Sequence, residues 1–143
     1  MTEVFQLDDF PLRTWDKIRY ADTDRQGHVN NAVFATLLET GRVEILYDPS
    51  APLAESGSAF VIARLLVDFR AELVWPGEVQ IGTRIAAIGR SSLTLEQGIF
   101  QSGRCAARGE TVIVLMDEAT RRSRPLSSVA TDRLRLLMAS QQV

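Results

Sequence analysis

Tyr20-Ala21-Asp22-Thr23-Asp24-Arg25-Gln26-Gly27-His28-Val29-Asn30-Asn31 runs without a break into a segment where Val33, Phe34, Leu37, Leu38, Gly41 and Ile45 recur along one broad apolar stripe. That spacing predicts a long helix. Asn30 or Asn31 can act as its N-cap, and Pro49 stops it because the residue before proline is pushed out of helical geometry. The start of such a helix leaves backbone N–H groups unpaired and carries the positive end of the dipole, which suits a carbonyl oxygen acquiring negative charge. Asp22 and Asp24 lie just upstream, where a carboxylate could attack the carbon or activate water.

Outward from the helix the pattern changes period. An extended N-terminal arm leads to a short strand over 15–20, and beyond the helix a small-residue loop over 51–58 gives way to the β-rich run Ala59-Phe60-Val61-Ile62-Ala63-Arg64-Leu65-Leu66-Val67-Asp68-Phe69. So apolar a run reads as a central strand. Trp75-Pro76-Gly77-Glu78 places proline and glycine as a type II turn wants them, and alternation follows over 79–88. Gly89-Arg90-Ser91-Ser92 makes the next turn, 93–101 the next strand, and Ser102-Gly103 a tight hairpin into a strand over 104–117, with Gly109 suggesting a bulge. A short surface helix is expected over 130–139, with Leu134, Leu137 and Met138 on one side. Strand, long helix and four hairpin-linked strands predict an α+β fold, a five-stranded antiparallel sheet with one helix against its face.

At 143 residues, 45% hydrophobic and 24% charged, residues 1–143 fit a single domain with a real core. The formal charge of −2 offers no global attraction for nucleic acid or an anionic membrane, so an anion has to be held by local basic groups. One cysteine, Cys105, cannot form an internal disulfide, and one histidine gives no Cys/His metal cluster. Met1 to Asp9 lacks the basic start and apolar run of a signal peptide, and no segment is long enough to span a bilayer. A cytoplasmic location is the expectation, with no metal or redox cofactor.

The candidate chemical groups each admit a structural reading. Asp24 is either a reacting carboxylate or a turn residue bonding its own backbone, and the residues alone leave both open. Asp22 reads as structural. His28 would have to serve any serine or cysteine triad, yet no G-x-S-x-G elbow is present and Cys105 has no activating neighbour. It can instead bond Asp24, position a substrate or tie down the loop. Glu39 and Arg42, three apart on the helix, read as a surface ion pair, with Glu39 in a pocket as the alternative. Arg90, Arg121, Arg122 and Arg124 could meet phosphates, the last three reading as solvated surface, and Trp75 reads as packing at a turn.

The order of elements, together with 20–31, Trp75-Pro76-Gly77-Glu78 and Ile88-Gly89-Arg90-Ser91-Ser92, resembles the hotdog-fold acyl-CoA thioesterases in their 4-hydroxybenzoyl-CoA thioesterase-like branch. The resemblance implies a hotdog fold, a sheet wrapped around a central helix. It also implies homodimers with sheets joined edge to edge, often paired into homotetramers, with the site at the dimer interface. Asp24 would hold the catalytic carboxylate position, the Asn31 backbone N–H would meet the thioester oxygen, and Arg90 with Ser91 would meet the nucleotide phosphates of coenzyme A. The activity implied is hydrolysis of an acyl-CoA to free acid and coenzyme A, or of the acyl carrier protein thioester with the same phosphopantetheine arm. A non-catalytic acyl-thioester or partner-binding module and a hydratase on the same fold are the alternatives.

Overall fold

The computed structural model describes residues 5–140, which fold in the order β1 (Leu12–Ile18), α1 (Asn31–Leu46), β2 (Ser58–Phe69), β3 (Gly77–Ile88), β4 (Ser92–Gln101), β5 (Arg104–Asp117) and α2 (Ser128–Ser140). The five strands form one antiparallel sheet in the order β1-β3-β4-β5-β2, and α1 lies across its face. No helix among the described residues is long and apolar enough to cross a membrane. Asn30 is the N-cap, in extended geometry, with its side-chain oxygen accepting from Ala32 N–H at 3.0 Å. The helix ends at Leu46 with Tyr47 as C-cap, two residues short of Pro49.

The predicted stripe is the buried face. Phe34, Leu37 and Leu38 pack with Val79, Ile81, Ile99 and Ala107, while Ile45 and Leu46 pack with Ile85, Leu93, Leu95, Ile113 and Leu115. Each such side chain stabilises the fold by roughly 1.5–3 kcal/mol, so this layer supplies most of the cohesion. Two glycines set its spacing. A Cβ on Gly41 would come within 2.7 Å of Gln97 Nε2 and 2.8 Å of Ile81 Cγ2, and one on Gly109 within 2.8 Å of Leu38 Cδ1. Fully buried Gln97 then bolts helix to sheet, its Nε2 donating to Leu38 C=O at 3.0 Å and to Thr83 Oγ1 at 2.9 Å.

Gly109 therefore is not a bulge. It pairs in regular register with Gln97 and Val67, and the irregularities fall at Ile62/Arg64, Ile85/Ala87 and Ile99/Phe100. Its missing side chain makes room for the helix. β2 is an edge strand rather than a central one, with Val61, Ile62, Leu65 and Phe69 exposed. Its apolar character reports a need for cover, and within one chain only β5 answers it.

Smaller departures follow local chemistry. β1 starts and stops earlier than expected because Tyr20–Asp22 coil into a 3-10 turn. Gly77, at φ 157°, is extended and already belongs to β3, so the type II turn, which needs a φ of about +80° there, does not form. The N-terminal arm also contains a 3-10 turn, Leu7–Asp9, and seats Phe10 on the opposite face over Gly82 and Gly98. The last helix is not a surface addition, since Ala130 and Leu134 are buried and complete the far half of the core.

Leu38→Ala is expected to lower the unfolding free energy in urea by about 2–5 kcal/mol. Gly41→Ala should also destabilise, by about 1–3 kcal/mol of overpacking, although alanine is the better helix former by about 1 kcal/mol. A neutral or stabilising Gly41→Ala would contradict this close seating of the helix.

Candidate active site

The two carboxylates upstream of α1 have opposite surroundings. Asp22 is only 5% exposed, its Oδ2 accepting from Arg19 N–H at 2.8 Å and its Oδ1 from Arg19 Nη2 at 3.0 Å. Its carbonyl accepts from Asn30 N–H at 2.8 Å, so Asp22 anchors the helix cap to the end of β1, as expected of a structural residue. Asp24 faces solvent. Its Oδ1 accepts from Gln26 N–H at 2.8 Å and from His28 N–H at 3.2 Å, while its own N–H donates to His28 C=O at 2.7 Å. Gly27, at φ 83°, turns the chain inside this loop. The turn reading of Asp24 is thus realised at one oxygen, and Oδ2 has no hydrogen-bond partner among the described residues.

The loop is pinned across to the β2–β3 connection. Val29 N–H donates to Leu73 C=O at 2.9 Å, His28 bridges Val74, and His28 Nε2 lies 3.1 Å from Glu72 Oε2. The imidazole therefore lies against Glu72 and not Asp24; only the backbone of His28 reaches the Asp24 carboxylate. Between loop and connection opens a cleft of about 380 Å³ lined by Asp24, His28, Asn31, Phe34, Phe69 and Glu72. Phe34 and Phe69 meet edge to face at 5.0 Å and give it an apolar wall.

Asn31 is the first residue of α1. Its neighbours Asn30, Ala32 and Val33 donate to Asp22 C=O, Asn30 Oδ1 and Asn30 C=O, and the Asn31 N–H has no acceptor among the described residues. Asp24, with one open carboxylate oxygen, and Asn31, with an open helix-start amide, thus line the same cleft, and groups of these two kinds can serve attack on a carbonyl whose oxygen gains charge.

Other predicted residues lie elsewhere. Exposed Arg90 and half-buried Ser91 occupy the β3–β4 turn, where their carbonyls accept from Leu126 and Leu115 N–H. Twelve-residue β3, roughly 40 Å at strand rise, separates that turn from the Gly77 end beside the cleft. One protomer does not bring Arg90 to Asp24. Arg42 is not half of a surface ion pair: it is 4% exposed, its Nη1 lacks a partner, and burial, opposed by the charge of Glu39, holds its guanidinium below the usual arginine range. Glu39 and Arg42 do line one small cavity, with Val43, Tyr47, Phe60 and Ile62. Arg124 pairs with Glu55 at 2.9 Å, and Trp75 packs edge-on against Tyr20 at 5.1 Å. Cys105 is half-buried, and burial pushes its thiol up. Among the described residues no group of three His, Cys, Asp or Glu is placed to hold a metal ion.

Sequence reasoning missed Glu72 and Phe69. Their signal was the abrupt Arg70-Ala71-Glu72 at the end of an apolar run, a change of polarity that marks an exposed connection without saying what it faces. In the folded protein, Asp22→Ala should lower stability by about 1–3 kcal/mol, because it strands the Arg19 amide that Asp22 holds. Asp24→Asn keeps an oxygen for the turn and should leave the urea midpoint within about 0.5 kcal/mol of wild type.

Residues 18–134 match the family model of the thioesterase-like superfamily. Among solved structures, the chain is 32% identical to a thioesterase from Thermus thermophilus complexed with coenzyme A and Zn, covering 92% of this chain and 97% of that one with a TM-score of 0.78. It is likewise 32% identical to a predicted thioesterase from Bacillus stearothermophilus, over 88% of this chain and 95% of that one, with a TM-score of 0.80. A DHNA-CoA thioesterase from Staphylococcus aureus, 21% identical over 92% of this chain and 95% of that one at a TM-score of 0.80, shares the fold. No functionally curated protein matches the chain.

Proposed function

The chain belongs to the thioesterase-like superfamily, and from that premise we propose that it hydrolyses acyl-CoA to free acid and coenzyme A, with Asp24 as its catalytic carboxylate. The observation that carries the reading is the shared cleft of Asp24 and the Asn31 N–H, each with an unused hydrogen-bonding valence. The thioester oxygen takes the Asn31 amide, and the dipole of α1 favours the charge that develops there. Asp24 Oδ1 stays committed to the loop, which fixes the carboxylate's orientation and leaves Oδ2 toward the carbonyl carbon. It attacks directly, giving an acyl-aspartyl anhydride that water then cleaves, or it takes a proton from an attacking water; in both routes the sulfur leaves as coenzyme A thiolate and is protonated by solvent. His28, held by Glu72, is a positioning residue that keeps the loop closed on the cleft.

The reading includes a homodimer joined along β2. Val61, Ile62 and Leu65 leave this apolar edge uncovered, and Phe69 at its end also walls the cleft, so a second copy paired there would close the site. The same pairing offers the way for the second copy's Arg90 and Ser91 turn to approach coenzyme A bound at Asp24. Two such dimers could assemble further into a tetramer.

Asp24→Asn is expected to lower kcat in a thiol-release assay by about 10²–10⁴ while the protein stays folded. Turnover like wild type in the folded variant would remove Asp24 from the chemistry, and binding of acyl-CoAs without thiol release across short, long and aromatic chains would favour a binding module. Placing lysine at both Val61 and Leu65 should yield monomers in sedimentation and abolish turnover with Asp24 intact; a fully active monomer would contradict the interface site.

A further inference from the structure

A second, larger cavity adjoins the Asp24 cleft at Arg70 and Ala71. These two residues line both: on the far side of Arg70 a cavity of about 690 Å³ extends past Phe5, Cys105, Ser102 and Arg104. The backbone fixes how its two arginines face it. Arg70 and Ala71 N–H both donate to Ala106 C=O, at 2.8 and 3.0 Å, which sets Arg70 beside the start of β5, two residues from Ala106 to Arg104. Gln101 locks the same hairpin to the β2–β3 connection, its Oε1 accepting from Val74 N–H and its Nε2 donating to Val74 C=O, both at 3.0 Å.

Seven of the other thirteen arginines of the described chain lie within ion-pair reach of an acid, Arg13 among them. Arg19, Arg64, Arg84, Arg108, Arg124 and Arg133 each pair with an aspartate or glutamate. Arg70 and Arg104 are exposed and close no ion pair or side-chain hydrogen bond among the described residues; the one carboxylate lining their cavity, Asp8, lies 3.7 Å from Arg13. In a chain of net charge −2, two uncompensated guanidinium groups on one concave surface make a local anion site. Guanidinium forks match phosphate oxygens in pairs, and here they would do so with Glu72 beside Arg70 in the Asp24 cleft and Glu72 and Glu78 beside Arg104 in a third cavity.

We propose that Arg70 and Arg104 form a phosphate-binding pair beside the Asp24 cleft, holding a phosphate of the thioester's carrier while its acyl end lies at Asn31. This rests on the thioester reading above. It places a basic contact on the same protomer as the reacting carboxylate, separate from the Arg90 turn at the far end of β3. Both carriers of the pantetheine arm present phosphate: coenzyme A has a diphosphate and a ribose phosphate, and phosphopantetheine has a single ester.

The test is the double variant Arg70→Gln/Arg104→Gln, assayed with one acyl group on coenzyme A, on 4′-phosphopantetheine and on N-acetylcysteamine, which lacks phosphate. Because neither side chain bonds the rest of the fold, thermal unfolding should match wild type. The KM for acyl-CoA is expected to rise about tenfold, the scale of one lost charge-assisted hydrogen bond, with kcat unchanged and the N-acetylcysteamine ester unaffected. A rise shared with 4′-phosphopantetheine assigns the pair to the phosphate on the arm; a rise confined to coenzyme A assigns it to the nucleotide phosphates. An unchanged KM for acyl-CoA, or an equal change for all three esters, overturns the proposal. If the wild-type protein releases thiol from none of them, the hydrolytic reading fails, and calorimetric titration with coenzyme A still decides the pair: weaker binding by the double variant supports it, and equal binding or none at all by both proteins overturns it.

Discussion

The closeness of α1 to the sheet is the constraint on which the remaining structure depends. Side-chain-free positions at Gly41 and Gly109 let backbone and side chain meet at distances a Cβ would forbid, and Gln97 converts that proximity into two buried hydrogen bonds. With the helix seated this way, its N-terminus has one place to be, at the end of the sheet where β1 leaves and β3 begins. The open amide of Asn31 is a product of that seating. A helix riding higher on the sheet would carry its first turn away from the cleft that Asn31 lines.

Around that terminus, two aspartates one residue apart divide the labour. Asp22 is drawn inward because its two oxygens satisfy an arginine and a backbone amide, and its carbonyl holds the cap residue. Asp24 is thrown outward by the turn at Gly27, and its second oxygen is left over. The turn role and the proposed reacting role of Asp24 are therefore compatible. A carboxylate bonded to the loop through one oxygen has its rotation fixed, and catalysis by a carboxylate benefits from that fixed aim.

β2 carries the unfinished part of the molecule. Twelve residues, largely apolar, end on Phe69, which faces the cleft, and the strand has one neighbour where its composition suits two. Hydrophobic surface left open along a strand edge is either an aggregation hazard or a place for another copy of the same strand. That edge is continuous with the cleft through Phe69, which is why the proposed dimer and the proposed site go together. The small cavity at Glu39 and Arg42, where the buried Arg42 Nη1 has no partner, also borders β2.

The amphipathic period of α1, the hairpin turns and the carboxylates ahead of an N-cap were legible along the chain because each depends on residues within a few positions of one another. That Asp24 and Asn31 come to line one cleft was reachable on the same ground, since they lie on one loop and its adjoining helix. Edge versus centre for β2, the inward turn of Arg42, the pairing of His28 with Glu72 and the distance of Arg90 from Asp24 were decided only in three dimensions. An apolar run states that burial is needed but not which neighbour provides it, and a charged side chain states what it could bond but not which partner the fold delivers. Gly109 shows the difference most plainly: its lack of a side chain was visible from the start, and the reason for it, a leucine from a helix far upstream, exists only once the helix has docked.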